Sequence, residues 1–214
     1  MKKIMLLTVL VVALMPLTSF GFSGMLSTAD GGIIGTGIWA DNFKISWDIE
    51  QQVDNSWFYE YTITDVDGFA IDPGALSHWI VEVSPNVTEA DFWDFNGSPH
   101  ELGNWDEASE ITRGLKLDYG DEGQTVWSFY STRVPTWGDF YAKDGYASND
   151  PNDHTLNTAI NAGYYNSDPV AAAGDGSIDG KILRPDTGVV PEPGTILLLG
   201  LGLAGTGIMR KIKK

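Results

Sequence analysis

Lys44-Ile45-Ser46-Trp47-Asp48-Ile49-Glu50 decides the fold class. Polar and apolar residues alternate without a break, which puts Ile45, Trp47 and Ile49 on one side of the chain. A period of two marks a half-buried strand. Asp54-Asn55-Ser56 supplies a turn. Trp57-Phe58-Tyr59-Glu60-Tyr61-Thr62-Ile63-Thr64 follows, dense in aromatic and β-branched residues that suit a pleated surface. The two runs read as an antiparallel pair.

The same pattern continues on both sides of that pair. Ser27 to Gly37 is a loop that enters a strand near Ile38-Trp39. Asp65-Val66-Asp67-Gly68 and Asp72-Pro73-Gly74 are turns, and Ser77 to Ser84 is a strand. Thr88-Glu89-Ala90-Asp91 has capping-box form and predicts a short helix through Phe92-Trp93. Ile111, Arg113, Leu115 and Leu117 alternate with Thr112, Gly114 and Lys116. Thr125 to Ser131 and Trp137 to Ala142 read as a pair across Arg133-Val134-Pro135. Asn149 to Asp153 is a polar loop, Ile178 to Leu183 the last strand, and Arg184 to Pro193 an exposed linker. Many short strands with frequent turns predict a mainly β fold, a single β-sandwich of jelly-roll-like form. Most of the eight tryptophans fall in strands, where core packing is their default role.

The two ends have a different composition. Met1-Lys2-Lys3 precedes an apolar run, Ile4 to Leu17, and the small residues Ser19 and Gly21. That is the form of a secretory signal peptide over residues 1–21. At the other end Pro191-Glu192-Pro193 leads into the uncharged run Ile196 to Met209, and Arg210, Lys211, Lys213 and Lys214 close the chain. As a helix the run is roughly 21 Å long, short of the ~30 Å hydrocarbon core. The cations behind it are a stop-transfer signal and can snorkel. The expected organisation is an ectodomain over 22–184, a linker over 185–190, and a tail over 191–214 with a transmembrane helix at 195–209 and a basic end at 210–214.

This tail resembles the PEP-CTERM sorting signal of Gram-negative bacteria. The resemblance implies an exosortase as processing partner, recognising Pro191, Glu192 and Pro193. It implies an inner-membrane-anchored precursor, then a place at the cell surface or in the extracellular matrix, with extracellular polysaccharide and biofilm as the setting. Ser77 to Ser84, Gly114-Leu115-Lys116-Leu117-Asp118, Trp127 to Ser131 and above all Pro135-Thr136-Trp137-Gly138-Asp139-Phe140-Tyr141-Ala142-Lys143-Asp144-Gly145 resemble a set of PEP-CTERM ectodomains without an assigned reaction.

Charge narrows the partners. All but one of the 29 acidic residues lie between Met25 and Val190, against only seven of the 13 basic residues. So acidic a region repels nucleic acid and anionic lipid. The absence of cysteine excludes disulfides, thiolate metal sites and a cysteine nucleophile.

Candidate chemistry is sparse. His78, His100 and His154 have no metal-ligand spacing, and neither a P-loop nor a G-x-S-x-G motif is present. Glu60 and Glu82 could form a facing carboxylate pair of the glycosidase kind, although acidic residues on a solvent face are the plainer reading. No catalytic residue is assigned, and the expectation is a non-enzymatic protein. Asp175, Ser177 and Asp179 fall at positions one, three and five of a calcium-type loop, with Gly180 at six and Asp186 at twelve. A plain Gly-Asp turn explains the same residues. Asp65, Asp67 and Asp72 form a weaker cluster. Trp93, Trp105 and Trp137, near loops, are candidates for stacking on sugar rings if the domain is a carbohydrate-binding module. A secreted hydrolase is the remaining alternative.

Overall fold

A computed structural model describes residues 20–71, 76–96, 99–108, 110–111, 113–120, 123–144 and 156–186. The signal peptide through residue 19 and the whole sorting tail lie outside them, as do Asp72 and His154.

The alternating run is strand β3, and the aromatic run is its partner β4. In chain order the strands are β1 (Gly21–Ser27), β2 (Ile33–Gly35), β3 (Lys44–Gln51), β4 (Trp57–Thr64), β5 (His78–Glu82), β6 (Phe92–Trp93), β7 (His100–Gly103), β8 (Gly114–Asp118), β9 (Val126–Ser131), β10 (Val134–Gly138), β11 (Phe140–Lys143), β12 (Thr158–Asn161) and β13 (Ile182–Asp186). The helices among the described residues are two single 3-10 turns, Gly37–Trp39 and Glu89–Asp91. The chain is mainly β.

The strands form three antiparallel sheets. One has the order β1-β3-β4-β9-β6, a second β2-β12-β11-β5-β8-β7, and β10 pairs with β13 alone. In the first, Trp47 lies opposite Tyr61 and Tyr61 opposite Trp127, so one face is a continuous apolar surface. That face packs on the second sheet. The Tyr61 ring meets Trp79 of β5 edge-on at 5.0 Å, Trp79 meets Trp127 at 6.1 Å, and Phe43 stacks on Phe140 of β11 at 6.2 Å. Burying each such side chain contributes about 1.5–3 kcal/mol, so the aromatic layer dominates the stability of the fold.

Several expectations are corrected. The Thr88 capping box exists, and the Asp91 carboxylate accepts the Thr88 N–H at 2.8 Å. It opens only a 3-10 turn, because Phe92 and Trp93 are drawn into β6 beside β9. Ile38-Trp39 is a 3-10 turn and not a strand. β9 and the Trp137–Ala142 segment do not form a pair. β9 lies between β4 and β6, β10 pairs with β13, and β11 lies between β12 and β5. The final strand starts at Ile182 and continues through Pro185 and Asp186, which the sequence assigned to a linker. Pro185 is tolerated there because β13 pairs on one side only.

Candidate functional sites

β13 is buried along its whole length and carries Arg184 in its middle and Lys181 just before it. Asp179 (φ 52°) and Gly180 (φ 69°) turn the chain into the strand through left-handed conformations. Lys181 Nζ then points inward. It lies 2.8 and 2.9 Å from the two Asp139 carboxylate oxygens, 3.0 Å from Asp168, and donates to the Asn166 carbonyl at 2.7 Å. Arg184 reaches Asp168 at 2.9 Å and Glu82 at 3.2 Å, and pairs with Asp186. Gly138 makes room for it, since a Cβ there would stand 1.7 Å from Arg184 Nε.

Buried charges are costly unless they are paired and hydrogen-bonded. Here two cations face four carboxylates, and the excess falls on Glu82. Burial, with the Asp168 and Asp139 charges adding to it, outweighs Arg184 and pushes its carboxyl to about 7. Asp139 is also raised by burial, against the pull of Lys181 and Asn161. Glu82, Asp139 and Asp168 are the group of potential metal ligands among the described residues, with carboxylate oxygens within 4.8 Å of one another. Lys181 and Arg184 occupy the positions a cation would take. None of these residues was singled out by its spacing as part of this cluster. The available signal was a charge inside an apolar run: Asp139 in Trp137–Ala142, and Lys181 and Arg184 flanking Ile182-Leu183.

The anticipated calcium ligands are not brought together. Asp175 accepts the Ser23 N–H at 3.0 Å, which docks the loop on β1. The Ser177 hydroxyl donates to the Lys181 carbonyl at 2.7 Å. Asp186 is committed to Arg184 in β13. Asp65 accepts the Phe69 N–H at 2.7 Å within its own turn. Glu60 and Glu82 do not face each other: Glu60 is on β4 of the first sheet, and Glu82 on β5 of the second. His78 is structural, hydrogen-bonded to Glu107 at 2.8 Å and lowered by burial. His100 stacks on Phe95 at 3.6 Å.

The three tryptophans differ in exposure. Trp137 is 1 % exposed and donates to the Ala172 carbonyl at 3.1 Å, so it is a core residue and not a stacking platform. Trp105 is partly exposed, but Lys116 sits 5.1 Å from its ring centre. Trp93 remains. It stacks on Tyr130 at 6.0 Å, and Tyr130 contacts Phe58 at 5.0 Å, forming an aromatic row on the outer face of the first sheet. Glu60 and Ser128 form the next row on that face. A shallow groove of about 570 Å³ continues from Glu60 past Asp48, Ser46 and Met25.

The sorting residues Pro191, Glu192 and Pro193 and the cations Arg210, Lys211, Lys213 and Lys214 lie outside the described residues. Among the described residues, no helix is long and apolar enough to cross a membrane. No curated protein and no solved structure matches the chain. Residues 189–211, directly beyond β13, match the family of the PEP-CTERM protein-sorting motif, and the chain is in that sense a PEP-CTERM protein.

Proposed function

We propose that this protein is an exported substrate of an exosortase, delivered to the cell surface or extracellular matrix of a Gram-negative bacterium, where it acts without catalysis. The match over residues 189–211 carries this reading. A signal peptide over 1–21 and an apolar helix over 195–209 ending in cations are the matching export and anchoring elements. In that topology Pro191-Glu192-Pro193 stands just outside the membrane, its prolines disfavouring helix. The ectodomain is read as one jelly-roll-like β-sandwich, on the strength of the core shared by its two large sheets. A non-enzymatic role is supported by the commitment of Glu82, Asp139 and Asp168 to Lys181 and Arg184. The test is Glu192→Ala in an exosortase-positive host. Export should persist while the longer form accumulates in the membrane fraction; processing at the parental rate would refute the reading.

The aromatic row Trp93–Tyr130–Phe58 favours a second, compatible reading, a module that binds matrix polysaccharide. Sugar rings stack on aromatic side chains, and Glu60 and Ser128 offer hydrogen bonds beside them. The net charge of −16 makes neutral or amino-substituted glycans the better partners.

A further inference from the structure

Lys181 and Asp139 are placed for chemistry as well as for attraction. The Lys181 side chain is 0 % exposed and that of Asp139 is 7 % exposed. Nζ is nearly equidistant from both carboxylate oxygens, at 2.8 and 2.9 Å, so it lies on the bisector of the carboxylate with Cγ between them. Asn161 holds the electrophile still, donating to Asp139 Oδ1 at 2.8 Å while its own oxygen accepts the Phe140 N–H at 3.0 Å. The Asp139 N–H donates to Glu82 Oε2 at 3.1 Å, and the Glu82 and Asp139 carboxylate oxygens come within 4.8 Å of one another. We propose that Lys181 and Asp139 condense into an intramolecular amide, an isopeptide bond, with Glu82 as proton carrier.

The step balances without a co-reactant. One Nζ proton passes along its hydrogen bond to the Asp139 carboxylate, the freed amine attacks Cγ of the carboxyl so formed, and the nitrogen, now cationic, gives a second proton to the Glu82 carboxylate. A C–N bond forms and a C–O bond breaks. Glu82 returns its proton to the departing hydroxyl, which leaves as water. Relative to the ion pair, one of the three Nζ protons stays on the amide and two leave with the oxygen. The Asn161 amide supports the oxygen that gains charge in the tetrahedral intermediate, the role of an oxyanion donor.

Several features favour this reaction over a permanent ion pair. Burial raises Asp139 toward its neutral, electrophilic form. Glu82 titrates at about 7, where a group both gives and takes protons well. Lys181 is the opposing term. Burial works against its ammonium, but the hydrogen bonds to Asp139 and Asp168 hold its pKa above the usual range. Loss of that proton is therefore the slow step, which a reaction that happens once per molecule tolerates. The product replaces two buried ions with one neutral amide, removing part of their desolvation cost. It also links the β10–β11 junction to the start of β13 in a chain that has no cysteine for a disulfide.

The experiment is intact mass spectrometry and denaturing tryptic mapping of the purified full chain. The expected result is a mass one water below that of the processed sequence, with a branched peptide joining the segments around Lys181 and Asp139 and no cleavage after Lys181. Asp139→Ala and Glu82→Gln should restore full mass and linear peptides; the Gln variant keeps the side-chain shape, and its circular dichroism should match the parent. Full mass in the parent, with linear peptides containing Lys181 and Asp139, would overturn the proposal. So would a missing water mapped to a linear peptide, as from an Asp-Gly succinimide. A cross-link that survives Glu82→Gln would overturn the role of Glu82.

Discussion

The Tyr61 hydroxyl donates to the Leu183 carbonyl at 2.8 Å, across 122 positions of sequence. This bond joins the centre of the first sheet to the β10–β13 pair in a fully buried place. Tyr61→Phe keeps the ring and its contact with Trp79 but leaves the carbonyl unpaired there. The expected loss is about 1–3 kcal/mol, read as a lower urea midpoint with an unchanged slope.

Glu82 predicts falling stability at neutral pH. Its carboxyl is raised from 4.5 to about 7 in the folded chain, chiefly by burial. The folded state therefore holds this proton more tightly than the unfolded one. The stabilisation is complete below the ordinary carboxyl value and is lost as pH rises through about 7. Denaturant titrations between pH 4.5 and 8 should show a decline on the order of 2–3 kcal/mol, and Glu82→Gln should flatten it.

Asp91 predicts the opposite slope. Burial opposes its charge, but hydrogen bonds from Arg133, the Thr88 N–H, Thr132 and the Thr88 hydroxyl hold it well below the ordinary aspartate value of 3.8. Its stabilisation is present above that value and lost as the pH falls through the depressed folded value. Asp91→Asn should cost about 1–3 kcal/mol at neutral pH and lessen the acid sensitivity of unfolding.

The tryptophans provide a stability contrast and a binding contrast. Trp137→Ala should destabilise the chain by about 3–5 kcal/mol, whereas Trp93→Ala, at a half-buried site, should cost less than half of that. On a glycan array Trp93→Ala should reduce any signal of the parent at least tenfold. Binding unchanged by Trp93→Ala would remove the aromatic row from consideration.

How much the sequence revealed depended on the range of the interactions. β3 and β4 were legible because Ile45, Trp47 and Ile49 repeat with the strand period and the turn at Asn55 is local, with φ 69°. β1, β2, β7 and β12 were not. Gly21–Ser27 is glycine-bearing and adjoins the run read as a signal peptide, while Ile33–Gly35 is three residues long. Their pairing is set by distant partners, with Leu26 opposite Ile45 and Ile34 opposite Ile160. The mistaken β9 hairpin has the same cause, since Phe129 lies opposite Tyr59 of the distant β4 and stacks on it at 5.4 Å. The charged cluster was hidden because Asp-Gly-Lys and Arg-Pro-Asp look like solvated turns, although the fold buries Lys181 and the whole of β13. Trp93 stood out by its place near a loop, but that criterion also admitted Trp137, which the fold buries.

β13 ends at Asp186, and the sorting match begins at residue 189. Any pull on the ectodomain through that tail therefore enters the fold at the rung that pairs Asp186 with Val134. Drawn along its axis, the strand would have to slide past β10 and take Lys181 and Arg184 away from Asp139, Asp168 and Glu82, a movement that the proposed Lys181–Asp139 amide would forbid outright. The ion cluster thus works as a mechanical stop at the root of the tether. A force applied at Asp186 would have to part β13 from β10 and disrupt that cluster before the domain opened.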